Sequence, residues 1–267
     1  MSSAEYILDT GAAAERRLAI VEEAYGPASH DLVNQLGIMA GMQILDVGCG
    51  TGAMLKHFAD TVGTTGKVVG FDNSAEQLEF SKQRVAALGI TACEFVQGHA
   101  HATGLPAASF DLVYSRFLFL HLNDPAAVVS EMRRLAKPGG VIVCEDISMK
   151  NGFTIPKSEP IDTIKKIIYQ AAASAGIDWD IGLRLYGLLQ RAGLRDVDVK
   201  LVPQMYSSGE VKRLPEYTLL EIAKRLIQAN ALTEDMVRGI AAGAKVFTDR
   251  DDSLVGLPLL VQVWGRV

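Results

Sequence analysis

Ile44-Leu45-Asp46-Val47-Gly48-Cys49-Gly50-Thr51-Gly52 passes from an apolar run into three alternating glycines and then into residues of helical period. The apolar run suits a buried strand. The glycines permit a tight turn and let the backbone approach a ligand closely, with the amides of a following helix nearby. Working outward, short β-branched runs alternate with longer helix-period runs, the pattern of βαβ units and a largely parallel sheet. Strands are predicted near 43–47, 67–71, 93–96, 110–115, 141–146, 197–202 and 259–266, with helices at 53–61, 75–88, 125–135 and 181–192. Gly89, Pro138-Gly139-Gly140 and Gly193 stand where those helices should stop.

Two stretches exceed this alternation. Residues 151–179 place Ile161, Ile164, Ile168, Ala171 and Ala172 on one stripe, and residues 206–250 space Leu219, Ile222, Ala223, Leu226 and Ile227 similarly. Both are expected to be helical insertions. Ligands of open α/β sheets bind beyond the carboxyl ends of the strands, so these additions are read either as a roof over a substrate pocket or as a dimer face. Residues 1–30, with Leu18, Val21 and Ala24 at helical spacing, read as an N-terminal helical cap on one elaborated α/β domain, 31–267.

The composition is ordinary for a globular chain: 49% hydrophobic and 21% charged over 267 residues. A net charge of −5 lacks the basic footprint of a protein gripping a phosphate backbone, so no nucleic-acid partner is expected. The apolar segment 254–264 is short and interrupted by Gly256 and Pro258, and MSSAEYILDTGAAAERR lacks the basic-then-apolar order of a signal peptide. The expectation is a cytoplasmic protein with no membrane partner. Cys49, Cys93 and Cys144 are too few and too dispersed for a disulfide framework and read as small thiols in a reducing compartment.

The loop alone leaves its ligand open. Gly48, Gly50 and Ala53 fit the G-x-G-x-x-G/A dinucleotide fingerprint. Asp72 follows Gly52 by 20 residues at the end of the next strand, where NAD and S-adenosylmethionine alike present ribose hydroxyls to an acid.

The ordered set ILDVGCGTG, VVGFDNS, FVQGHAHATGLP, FDLVYSRFLFLHL and RRLAKPGGVIVCED, over residues 43–147, resembles the motif succession of class I S-adenosylmethionine-dependent methyltransferases of the small-molecule type. The resemblance implies a seven-stranded, mostly parallel Rossmann-like sheet with helices on both faces, and a closing strand, here LPLLVQVWGRV, inserted antiparallel. It makes 31–267 the methyltransferase domain and S-adenosyl-L-methionine the cofactor. Asp46, Gly48, Gly50, Thr51 and Gly52 would shape the pocket around the methionine part, and Asp72 would accept from both ribose hydroxyls. Asn73 and Gln77 would flank ribose and adenine; Gly98, His99 and Ala100 would hold the adenine edge; Ser115 and Arg116 would lie beside the methionine. Many relatives carry an acid where this chain has His99. A neutral imidazole either accepts in its place, or stacks or turns outward and leaves adenine to the Ala100 amide. Tyr6, Arg16 and Arg17 are the groups available in the leading helix to close over the methionine carboxylate, against the alternative of solvated helix charges.

Methyl transfer from a sulfonium is an in-line displacement in which positioning and exclusion of water suffice, so a base is needed only for a protonated acceptor. His121, Asp146 and its neighbour Glu145 stand at the right edge for that role, with His121 and Asp146 the catalytic candidates; His101 ranks below them. No metal is expected, since the His99-x-His101 pair supplies only two ligands. The expected activity is methyl transfer to oxygen, nitrogen or carbon of a small, fairly apolar metabolite, with a homodimer as a further expectation. The alternatives are a homologue that binds the cofactor without methylating, acting as a cyclase or assembly partner, and an NAD-dependent oxidoreductase.

Overall fold

The computed structural model describes residues 12–267; Tyr6 lies outside the described residues. A helix, α1 (Ala12–Gln35), leads into β1 (Gln43–Val47), α2 (Leu55–Val62), β2 (Lys67–Asp72), α3 (Ala75–Ala87), β3 (Cys93–Gln97) and β4 (Phe110–Arg116). There follow α4 (Pro125–Leu135), β5 (Ala136–Ser148), β6 (Phe153–Ile155), α5 (Glu159–Ser174), α6 (Gly182–Arg191) and β7 (Arg195–Val202). The chain closes with β8 (Met205–Tyr206), α7 (Leu214–Gln228), α8 (Glu234–Thr248), β9 (Leu254–Gly256) and β10 (Leu259–Arg266).

Seven strands form one sheet in the order β3-β2-β1-β4-β5-β10-β7, mostly parallel with the closing strand antiparallel. The Val267 carbonyl, just past β10, accepts from Gly139 N at 2.9 Å near the start of β5, as an antiparallel return requires. β1 pairs with β2 from Gln43↔Lys67 to Val47↔Phe71 and with β4 at Ile44↔Leu112. Strand order runs one way from β1 and the other way from β4, so the switch point of the sheet lies between them, where α/β sheets open a crevice for ligands.

Contacts divide the chain into two compact units. The first comprises residues 28–146, 181–201 and 261–267. Its core packs Ile44, Val68, Leu112, Tyr114 and Val143 of the strands against Leu32 and Val33 of α1, Leu55, Phe58 and Val62 of α2, and Leu78 and Val85 of α3. Each such fully buried side chain contributes roughly 1.5–3 kcal/mol, and Phe58 meets Tyr114 edge-on at 5.1 Å between centroids. Helix starts follow from the sequence: Ser74 Oγ accepts from Gln77 N to cap α3, and Asp124 accepts from Ala127 N ahead of Pro125 to cap α4.

Of the described residues, the second unit gathers 12–27, 147–180 and 202–260. It contains α5, α7 and α8 and a small antiparallel sheet in the order β6-β9-β8. The insertions are therefore helical as expected, with three short strands that no period of two announced. The apolar segment 254–264 is two strands, β9 and β10, split at Pro258. Pro138-Gly139-Gly140 does not stop α4, which has already ended at Leu135; the stretch lies inside β5, where the register against β4 shifts. Within this unit Arg17 pairs with Glu221, both buried, and Arg16 reaches Glu210 at 2.5 Å. Arg17 is thus an internal ion pair and not the solvated charge its helical spacing suggested. No helix among the described residues is long and apolar enough to cross a membrane.

Candidate functional site

Gly48, Gly50 and Gly52 all adopt the left-handed region, with φ of 74°, 53° and 75°. Two of them show why the loop needs glycine. A Cβ on Gly52 would lie 2.8 Å from Ser81 Oγ and 2.9 Å from Leu55 Cδ1, whereas a Cβ on Gly50 would meet nothing within 4 Å. The loop is closed on its inner side and open at Gly50, as a backbone that admits a ligand must be. Gly48 N and Cys49 N both donate to Phe71 O, at 2.7 and 3.0 Å, and tie the loop to the end of β2.

There Asp72 completes the arrangement. One carboxylate oxygen accepts from Gly50 N and the other from Ser74 N, each at 2.9 Å. Burial pushes the Asp72 carboxyl above its usual range despite these donors. Gly98 N bonds Asp72 O at 3.0 Å and brings the end of β3 alongside. Gln77, in the first turn of α3, holds its amide oxygen buried with no hydrogen-bond partner among the described residues. An orphaned acceptor in the helix that follows an anchored carboxylate fits a ligand that supplies donors, as ribose hydroxyls or an adenine amine would. Asn73 and His99 are exposed, Thr51, Gly98 and Ala100 partly so.

His99 stacks on His101, centroids 5.7 Å apart and planes 24° from parallel. His101 also borders a surface depression of about 870 Å³ lined by Ser130, Arg133, Leu188 and Arg191, which shares no residue with the glycine loop. Asp46 is buried in β1, opposite Gly70 and Tyr114. Cys49 is buried in the loop, and burial followed by the fields of Asp46 and Asp72 drives its thiol far up, so it is no nucleophile.

At the end of β4, Ser115 and Arg116 point to opposite faces of the sheet. Ser115 is wholly buried against its cross-strand neighbour Cys144. Arg116 lies on the face of Tyr114 and donates to Ser29 Oγ at 3.1 Å. Asp146 is wholly buried, and its carboxylate accepts from Leu120 N at 3.0 Å, fixing the turn Phe119–His121. That contact gives Asp146 a structural task at the root of the turn that presents half-buried His121. Glu145, placed with Asp146 at the edge where a base could stand, gathers Ser29, Tyr114 and Gln262 around a wholly buried carboxylate. No spacing in the sequence joins residues 29, 114, 145 and 262. Among the described residues no group of three or more His, Cys, Asp or Glu side chains is placed to hold a metal ion.

The profile of the methyltransferase domain family matches residues 38–193, more than half of the chain. Demethylmenaquinone methyltransferase of Geobacillus stearothermophilus is 35% identical over 123 residues, 46% of this chain and 53% of that protein. The chain thus spans about half the length of the curated relatives it matches. Among solved structures, a SAM-dependent methyltransferase of Aquifex aeolicus superposes with a TM-score of 0.52 at 22% identity, over 70% of this chain and 91% of that one. Phosphoethanolamine N-methyltransferase 2 of Haemonchus contortus, solved with phosphomonomethylethanolamine and S-adenosylhomocysteine, gives 0.55 at 18% identity, over 94% of this chain and 52% of that one. At these identities the superpositions speak to fold.

Proposed function

The chain belongs to the class I S-adenosylmethionine-dependent methyltransferases, and from that premise we propose that it transfers a methyl group to oxygen, nitrogen or carbon of a small, fairly apolar metabolite. The observation that carries the reading is the Asp72 carboxylate, bonded to Gly50 N across a loop left open at Gly50. In this reading Asp72 accepts from the ribose hydroxyls, Gln77 from the adenosine, and Asp46 with the loop from 48 to 52 shapes the wall around the amino-acid end. Asn73, Gly98, His99 and Ala100 border the nucleoside, and Arg116 faces the carboxylate of the amino acid. When bound, the cofactor supplies the activated methyl group.

The chain's own residues then have modest chemical work: to bind, align and exclude water, which together are worth several kcal/mol or more. His121 is the group proposed to take a proton from a hydroxyl or ammonium acceptor, since its ordinary pKa suits that task near neutrality. Because relatives of similar sequence are demethylmenaquinone methyltransferases, a demethylated quinone is the first acceptor to assay. The protein is proposed to work in the cytoplasm, without nucleic acid.

The test is incubation with cofactor labelled at the methyl group, a demethylated quinone and a metabolite extract, followed by extraction into organic solvent. Label should enter the organic fraction with the intact chain and not with Asp72→Ala. Cofactor binding without transfer to any acceptor would replace this reading with that of a non-methylating cofactor protein.

A further inference from the structure

Ser29, Tyr114, Arg116, Glu145 and Gln262 meet at the carboxyl ends of β4 and β5. Three donors converge on the wholly buried Glu145 carboxylate: Ser29 Oγ at 2.5 Å and Tyr114 OH at 3.1 Å on Oε2, and Gln262 Nε2 at 3.0 Å on Oε1. The Gln262 amide is oriented by its second bond, Nε2 to Ala28 O at 3.1 Å, because a carbonyl only accepts. Three donors describe a bound carboxylate. Its charge is answered by Arg116, directly opposite across the strand pair, whose Nη1 donates to the same Ser29 hydroxyl at 3.1 Å.

The backbone repeats the connection. Phe117 N donates to Glu145 O at 2.9 Å while Phe117 takes a φ of 55°, an uncommon conformation for a bulky residue. The turn folds the Phe117 ring against the guanidinium, 5.5 Å from ring centroid to Cζ. Such strain persists where surrounding contacts enforce it, and buried charges are poor devices for stability alone. Both lie at the ligand edge of the sheet. In the cofactor reading above the nucleoside would sit at the ends of β2 and β3 and the rest of the ligand would run back over the β1 loop toward β4, where Leu118 Cδ1 lies 3.0 Å from a Cβ built on Gly48.

Resting on the cofactor reading above, we propose that Glu145 is a positioning residue. Through Ser29 and the Phe117 turn it holds the Arg116 guanidinium where that group meets the carboxylate at the amino-acid end of the cofactor.

The test compares two ligands by calorimetry: S-adenosylhomocysteine, and 5′-methylthioadenosine, which keeps the nucleoside and thioether but lacks the amino acid. Glu145→Gln should weaken S-adenosylhomocysteine about tenfold, the scale of one charge-assisted contact, and leave 5′-methylthioadenosine within about twofold. Ser29→Ala should show the same selectivity at about threefold, and it decides the matter if Glu145→Gln does not fold. Equal losses for both ligands, or an unchanged affinity for S-adenosylhomocysteine, would overturn the proposal. Failure of the unsubstituted chain to bind S-adenosylhomocysteine would instead overturn the cofactor reading itself, before any variant is compared.

Discussion

Asp72 carries a structural duty and, in the proposed function, a ligand-binding one. Its two oxygens hold the Gly50 and Ser74 amides, and burial raises its pKa, so protonation begins at a higher pH than for a free carboxyl. In the proposed function the ribose hydroxyls need the ionised form. Cofactor affinity is therefore full above the raised pKa and declines as pH falls through it. Asp72→Asn should flatten that decline and weaken S-adenosylhomocysteine by about 1.5–3 kcal/mol for each charged bond lost, read by calorimetry across a pH series. Residues such as Asp72 and Gly50 were legible because the chemistry lies within a few tens of residues and is stated in residue types. Glu145 was not, because its meaning comes from partners at 29, 114 and 262 that only the tertiary structure brings together. Arg17 misled for the same reason: a charge at helical spacing looks solvated until its partner, Glu221, is seen.

The elements were read most faithfully where local chemistry sets their ends. Helix α4, Pro125–Leu135, begins at an Asp124 cap with proline at its first position and matches its predicted bounds. The strands of the small sheet, two or three residues long, are too short to display a period and went unread. Helix α4 also offers an element-scale test. Glu131 accepts from Thr103 N and Oγ1 and from Arg134 Nε and Nη2, pinning the loop after β3 to the helix. Arg134 first, then the Thr103 donors, against the cost of burial, hold its carboxyl down to about 2. Because the folded pKa is depressed, this contribution is present above the unfolded value near 4.5 and is lost as pH falls toward 2. Thermal melts should show a decline over that window that Glu131→Gln reduces, with the variant already less stable at neutral pH.

At the scale of the whole molecule, a parallel sheet with a switch point between β1 and β4 fixes where a ligand binds but not what it becomes. The cofactor half of the candidate site could be proposed from the sequence since it is built from one loop and the strand ends beside it. The acceptor half was not, because side chains that select a metabolite follow no spacing rule. The central claim, that this chain is built around S-adenosylmethionine, is tested most directly by titrating the intact protein in a calorimeter with S-adenosylhomocysteine and, separately, with NAD. Saturable one-to-one binding of S-adenosylhomocysteine with no heat from NAD is predicted. Binding of NAD with no response to S-adenosylhomocysteine would contradict it.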